Sequence, residues 1–457
     1  MESKVIDEIV RAVGKENVLS SPEERKCYSY DARNEGVIPD LVVFPSSAEE
    51  VSKILKLANR HRFPVIPRGQ GSGLTGGSIP LYGGVILVFT RMNRILEIDT
   101  ENLTVTVEPG VITFDLQQEM AKQGLFYPPD PASFKYSSIG GNVAECAGGP
   151  NSLKYGVTRD YVLGLEVVKP TGEIIRTGVK TMKGVVGYDL TRLFVGSEGT
   201  LGVVTKIIMK LIPLPEAKAT ILALFQEVED AAATVSAIIA AKVVPSTIEF
   251  MDKASIKCSE QASPMGLPEG IGGLLLIEVD GDRESIQPQV EKVRKIVLDK
   301  KAIRCDVTED PQEADRLWQA RRVLSQATYN LNPVKIAEDV VVPRSHIPTL
   351  IRALEEMERR FGVPILSFGH AGDGNFHVSI MIKDTPEDRE KAEKAVEAIF
   401  EETIRLGGTL SGEHGIGTSK SAYLGMELSP EVIATMKRIK ELFDPNNILN
   451  PGKIFPN

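Results

Sequence analysis

The chain carries His370 and His377 in the segment GHAGDGNFH, and Glu413 and His414 in GEHG. Imidazole and carboxylate are the groups that hold Zn²⁺ and other divalent cations, so metal chemistry is the first reading these residues raise. The sequence PILSFGH-AGDGNF-HVSIMI reads as two strands joined by a glycine-rich loop, which brings both rings to one end of a hairpin. Past the turn, alternation sends Phe376, Val378 and Ile380 to one face and His377 and Ser379 to the other. By themselves, two such histidines fit a core pair as well as a ligand pair. Glu413 and His414, set between glycines just after a helix that ends at Gly407-Gly408, complete a fair ligand set with open positions. Asp373 lies among glycines and reads as a turn residue. His61, at the end of a surface helix, reads as solvated, and His346, at a helix start, as structural.

A second stretch with chemical content is RGQGSGLTGG, Arg68 to Gly77, in which Gly71, Gly73 and Gly76 spell GxGxxG. A dinucleotide-binding turn of that spelling needs a strand before it and a helix opening on it. Upstream, FPVIPR is short and interrupted by Pro64 and Pro67; downstream, GSIPLYGGVILVF holds Pro80 and becomes strand. No helix can open at Gly73, so NAD on a Rossmann turn is excluded by context. Backbone amides freed by glycines, with Arg68 beside them, still make an anion nest. Residues 128–149, PPDPASFKYSSIGGNVAECAGG, supply a second glycine-rich loop with little charge.

These segments sit in a chain of 457 residues, long enough for two or three domains. A formal net charge of −9 argues against nucleic acid or an anionic membrane as the main partner. No apolar run reaches spanning length, and the amphipathic start lacks a signal-peptide core, which points to a cytoplasmic chain. Cys27, Cys146, Cys258 and Cys305 are too dispersed for an iron–sulfur cluster. Residues 1–37 read as an N-terminal helical segment, 38–213 as a loop-dense α+β domain with few helices, and Ile212–Pro215 as its boundary. Beyond it a strand–helix–strand pattern occurs twice, as expected of a split βαβ sandwich on an antiparallel sheet. Residues 311–331 read as one helix. A region 214–420 with the histidine cluster is followed by a tail, 421–457, expected to return to the first domain.

PRGQGSGLTGG, SSIGGN, YGVTRDYVLGLEVV and GSEGTLGVVT together resemble the FAD-binding domain of the vanillyl-alcohol oxidase superfamily. Within it the chain is similar to the bacterial glycolate oxidase FAD subunit and the D-lactate and D-2-hydroxyglutarate dehydrogenases, over nearly its whole length. The resemblance implies an α+β protein with an FAD domain of two α+β subdomains and a C-terminal antiparallel-sheet, ferredoxin-like substrate or cap domain. It implies FAD held by Pro67, Arg68, Gly69, Gly71, Ser72, Gly73 and Leu74, by Ser137, Ser138, Gly140, Gly141, Asn142 and Ala144, and by Gly148, Glu198, Gly199, Val204 and Asn450. Some relatives carry a histidine in the first glycine loop and bind flavin covalently; this loop has none, so non-covalent FAD is expected.

Carried over to this chain, GHAGDGNFH and GEHG imply His370, His377 and Glu413 as ligands of one divalent metal, zinc first, with iron and manganese as alternatives. His414 would be the base. A Lewis acid on the hydroxyl of a 2-hydroxy acid lowers its pKa, so that His414 accepts the proton as hydride passes to flavin N5. Arg321 resembles the family's carboxylate-binding arginine, with Ser325 one turn on and Lys335 as a substrate-site lysine, while Arg322 reads as solvated. The 2-hydroxyglutarate enzymes have threonine at 325, asparagine at 379 and one residue more between Arg321 and Lys335. These departures favour D-lactate or glycolate, with D-2-hydroxyglutarate as the alternative. Rival classes are a metal-dependent hydrolase, which leaves both glycine loops unexplained, and a non-catalytic FAD electron-transfer subunit, which has no need of His414. Electrons would leave through an electron-transferring flavoprotein or an iron–sulfur partner subunit, through which any membrane association would arise. A homodimer fits the family as well.

Overall fold

The computed structural model describes residues 1–33 and 35–455, in two compact units. One comprises Met1–Gly148, Val157–Leu214 and the chain from Glu413 onward; the other comprises Gly149–Gly156 and Pro215–Gly412.

The first unit is built on two larger sheets, with Leu125–Phe126 and Ile212–Pro213 forming a separate two-stranded pair. In the four-stranded sheet the order is Val18–Leu19, Leu41–Val43, Val85–Val88, Val65–Arg68, with the last three strands parallel. Helix Ala48–His61 covers it. Ser47 caps that helix by accepting the Glu50 N–H, and Val51, Ile54, Leu55 and Ala58 recur at helical spacing against Leu41, Val43, Val65 and Val85. Each fully buried aliphatic side chain contributes roughly 1.5–3 kcal/mol. The second sheet is antiparallel, in the order Ile95–Asp99, Thr104–Val107, Val203–Lys210, Val162–Val168, Ile174–Gly178. The tail joins the first sheet: the Val65 N–H donates to the Ile448 carbonyl at 2.8 Å, and Leu449 lies in the same core.

Three sequence readings need correcting here. Helix Thr113–Lys122 was not read in this β-rich region. The stretch around SSIGGN is not simply a loop: Ser138 accepts the Gly141 N–H and caps a short helix, Ile139–Glu145. His61 is not solvated, since its Nε2 lies 3.5 Å from the Glu8 carboxylate with the side chain three-quarters covered.

The second unit is one seven-stranded sheet, antiparallel throughout: Arg304–Thr308, Ala217–Phe225, Gly273–Gly281, Thr247–Asp252, Ile365–His370, Asn375–Ile382, Val334–Val341. The two strand–helix–strand repeats interleave, with Gly273–Gly281 inserted between Ala217–Phe225 and Thr247–Asp252. The single helix expected over 311–331 ends at Arg322, resumes over Leu324–Ala327 and finishes in a 3₁₀ turn at Thr328–Asn330. Pro333 forbids its continuation. Its Leu317, Ala320, Leu324 and Ala327 are buried against Met251, Leu274, Leu276, Leu366 and Met381, which fixes this helical stretch over one face of the sheet. No helix among the described residues is long and apolar enough to cross a membrane.

Candidate functional site

Sheet register gathers the chemistry of the second unit. Glu249 stands opposite His370, Phe368 opposite His377, and His377 opposite Asp339. Opposed residues of an antiparallel pair share a face and alternate residues recur on it, so Glu249, Phe368, His370, His377, Asp339 and Lys335 all lie on one side. The His370 and His377 rings meet nearly edge-on, with centroids 5.1 Å apart.

Glu249 is fully buried and holds two partners. Its Oε1 lies 2.5 Å from His370 Nδ1, and its Oε2 accepts the Arg321 Nε–H at 2.6 Å. Burial alone would raise this carboxyl, but its contacts with His370 and Arg321 prevail and hold it down at about 2. A carboxylate on Nδ1 fixes the tautomer in which Nδ1 carries the hydrogen and Nε2 the lone pair. Arg321 comes from the last turn of Pro311–Arg322, and its guanidinium lies 4.9 Å above the Phe368 ring. Lys335 Nζ donates to Ser325 Oγ and to the Ser325 carbonyl, each at 3.0 Å, and stands 5.9 Å from the same ring. Arg322 points elsewhere, to Asp315 at 3.0 Å.

Asp339 is likewise fully buried. It lies 3.9 Å from His377 Nδ1 and accepts from Asn375 Nδ2 at 2.6 Å, Ser411 Oγ at 3.1 Å and the Gly412 N–H at 2.9 Å. Asp373 accepts the Asn375 N–H at 3.2 Å, a turn contact. A cavity of about 730 Å³ in this unit, lined by Ile256, Leu267, Ile351 and Leu354, holds none of these groups.

In the first unit, no helix begins between Gly69 and Gly84 among the described residues, as the prolines require. Arg68 is buried and turned inward: Nη1 donates to the Tyr30 carbonyl at 2.7 Å, and Gly71, at φ +68°, leaves room that a Cβ would take from the guanidinium. Gly73 faces open space, with nothing within 4 Å of a Cβ built there. The two glycine segments touch, because a Cβ on Gly69 would strike Ser138 Oγ. Around that helix start, Thr113 Oγ1 lies 3.1 Å from Ser137 Oγ and accepts from Asn142 Nδ2, and the Gly140 N–H donates to the Pro109 carbonyl. Replacing Ser138 by alanine is expected to cost about 1 kcal/mol, read as a lowered urea midpoint at unchanged slope.

Glu198 and Asn450 both adopt positive φ, 51° and 45°, an uncommon conformation for non-glycine residues. The Glu198 carboxylate accepts the Ile416 and Gly417 N–H groups at 2.8 and 2.7 Å, and its own N–H donates to the Ala144 carbonyl. Asn450 Nδ2 donates to the carbonyls of Gly77 and Glu198. Gly199 packs against Pro67, while Val204 lies in strand Val203–Lys210. The GEHG segment is pinned in this unit as well: Thr75 Oγ1 donates to the His414 carbonyl at 3.0 Å, and His414 Nε2 stands 4.0 Å from Glu413. Gly412, anchored on Asp339, directly precedes Glu413 in the chain.

The model for the C-terminal domain of FAD-linked oxidases matches residues 214–454, more than half of the chain, and the model for an FAD-binding domain matches residues 39–178. The chain belongs to the FAD-linked oxidase family. The glycolate oxidase subunit GlcD of Bacillus subtilis is 49% identical over 99% of this chain and 96% of its own length. The D-lactate dehydrogenase of Anaerostipes hadrus is 40% identical over 91% of this chain and 89% of its own. The fold resembles that of p-cresol methylhydroxylase, with a TM-score of 0.83 at 20% identity, over 99% of this chain and 96% of that one. The expected fold of the vanillyl-alcohol oxidase type, with an antiparallel-sheet C-terminal domain, is therefore present.

An oxidase of this family needs room and polar partners for FAD, and the first unit offers both in the open edge at Gly73 and a buried Asn450 Oδ1 that no protein group satisfies among the described residues. Glu249, Asp339 and Phe368 escaped the sequence reading. For the two carboxylates a signal existed: STIEFMD sets Glu249 between Ile248 and Phe250, and KIAEDVVVP sets Asp339 just before three valines, where burial without a partner is prohibitive.

Proposed function

We propose that this chain is an FAD-dependent dehydrogenase that oxidises a small D-2-hydroxy acid, D-lactate or glycolate, to the 2-oxo acid. The observation that carries this is the Arg321 guanidinium. Glu249 takes its Nε–H, and among the described residues no protein hydrogen bond falls on its two terminal nitrogens. A guanidinium held from behind in this way offers the fork that receives a carboxylate bidentately. Relatives named for glycolate and D-lactate, both monocarboxylates, agree with a single such fork.

In this reading residues 38–213 and the tail hold the cofactor, and 214–420 form the substrate domain. FAD, when bound, supplies the hydride acceptor. His370, His377 and Glu413 would hold one divalent cation, zinc by its donor set, which would make the substrate hydroxyl more acidic. Arg321 holds the substrate carboxylate, Phe368 keeps water from beneath it, and Lys335, steadied by Ser325, adds positive charge beside it. His414 accepts the hydroxyl proton at an imidazole nitrogen. The relative named as a subunit supports reoxidation through a partner polypeptide.

The test is an anaerobic panel of D- and L-2-hydroxy acids read by flavin absorbance. D-lactate or glycolate is expected to bleach the flavin within the first turnover. Bleaching by D-2-hydroxyglutarate alone would move the substrate to the dicarboxylates, and a colourless protein that takes up no FAD would overturn the proposal.

A further inference from the structure

Beside Gly77, at the far end of the glycine loop, lies a carboxyl group with no assigned role. Glu145 closes helix Ile139–Glu145, and its Oε2 is buried with no hydrogen-bond partner among the described residues. A Cβ built on Gly77 would approach its Oε1 to 2.8 Å. One built on Gly415, at φ +81°, would collide with its Oε2 and come within 3.1 Å of Glu198 Oε1. The buried Glu198 carboxylate and the buried Oε2 of Glu145 thus border one small space that only glycine leaves open.

They are not equivalent. Glu198 receives two backbone N–H groups, which stabilise its anion, while Glu145 receives none at Oε2. Burial raises Glu145 well above the usual carboxylate range, and Glu198 and Asp31 raise it further. Burial also raises Glu198, against the pull of the Ile416 and Gly417 amides and of Lys453 and Lys420. Like charges this close do not both ionise in a dry site, so the proton rests on the partner without donors. A neutral carboxylic acid is a hydrogen-bond donor. Among the described residues Oε2 meets no acceptor for such an O–H, and a buried donor without one costs about 1–3 kcal/mol.

We propose that Glu145 is a neutral acid whose O–H donates to an acceptor atom of bound FAD, a flavin-ring carbonyl being the class of acceptor that fits. The surroundings favour this ligand. Both glycine segments meet here, and the unsatisfied Asn450 Oδ1 belongs to the residue that binds the Gly77 carbonyl, so an orphan donor and an orphan acceptor flank one glycine. A carbonyl beside an imide N–H is the complement of that pair. The assignment rests on FAD being the cofactor.

Flavin-free protein titrated with FAD, followed by flavin fluorescence, tests it with E145Q, which keeps a donor without charge, and E145L, which keeps none. E145Q should bind FAD within about twofold of the parent, and E145L about tenfold more weakly, the worth of one buried hydrogen bond. Infrared difference spectra of parent against E145Q should also show a protonated-carboxyl stretch that shifts when FAD binds. Equal FAD affinity of parent and E145L, weakening by E145Q as large as by E145L, or absence of that stretch would each overturn the role of Glu145. A parent chain that takes up no FAD would overturn the cofactor reading itself.

Discussion

Glu249→Ala is expected to destabilise the protein by about 3–5 kcal/mol and to abolish substrate-driven flavin reduction. The carboxylate is fully buried between His370 and Arg321, with contacts of 2.5 and 2.6 Å. Removing it strands the Arg321 charge in a site where the side chain is only 10% exposed. It also frees the His370 ring to turn and lets the guanidinium fork swing away from where it would meet a carboxylate. Urea unfolding measures the first effect and anaerobic reduction by D-lactate the second. The double replacement Glu249→Met with Arg321→Met separates them. Without a stranded charge, apolar side chains of similar volume should recover most of the lost stability. Flavin reduction should stay absent, because the fork is gone. Full activity of Glu249→Ala would show that Arg321 and His370 need no such support.

His414→Ala is expected to leave FAD bound while slowing anaerobic flavin reduction by about 10²–10⁴-fold, the usual weight of a positioned proton acceptor. The fold should survive. His414 contributes its carbonyl, not its ring, to the bond from Thr75, and the neighbouring segment is held by the Ile416 and Gly417 amides on Glu198. Stopped-flow absorbance with D-lactate provides the rate, and the visible spectrum reports the retained flavin. An unchanged rate would remove His414 from proton transfer.

Much of this was legible in the sequence because it is local. Pro67, Pro80 and the strand after Gly84 denied the glycine loop a helix without any tertiary information. Alternation in NFHVSIMI and the short turn before it set His370 and His377 on one hairpin end, where their rings are 5.1 Å apart. Other features were misread because neighbours override local signals. The glycines of SSIGGN looked like a loop until the Ser138 cap and the close approach of Pro109 made them a helix start.

The sequence by itself determined the residue types, the spacing of the histidines, the absence of a Rossmann turn and the α+β class. Which side chains meet was decided only by tertiary structure. Glu249 is separated by 72 residues from Arg321 and by 121 from His370, and Glu198 by 218 from the amide of Ile416. The Glu249–His370 pairing follows from strand order and register. Both are set by which apolar faces bury together across the whole sheet, and a one-residue slip would turn Glu249 to the opposite face. Periodicity along one strand reveals which face a residue takes, but not which strand lies beside it.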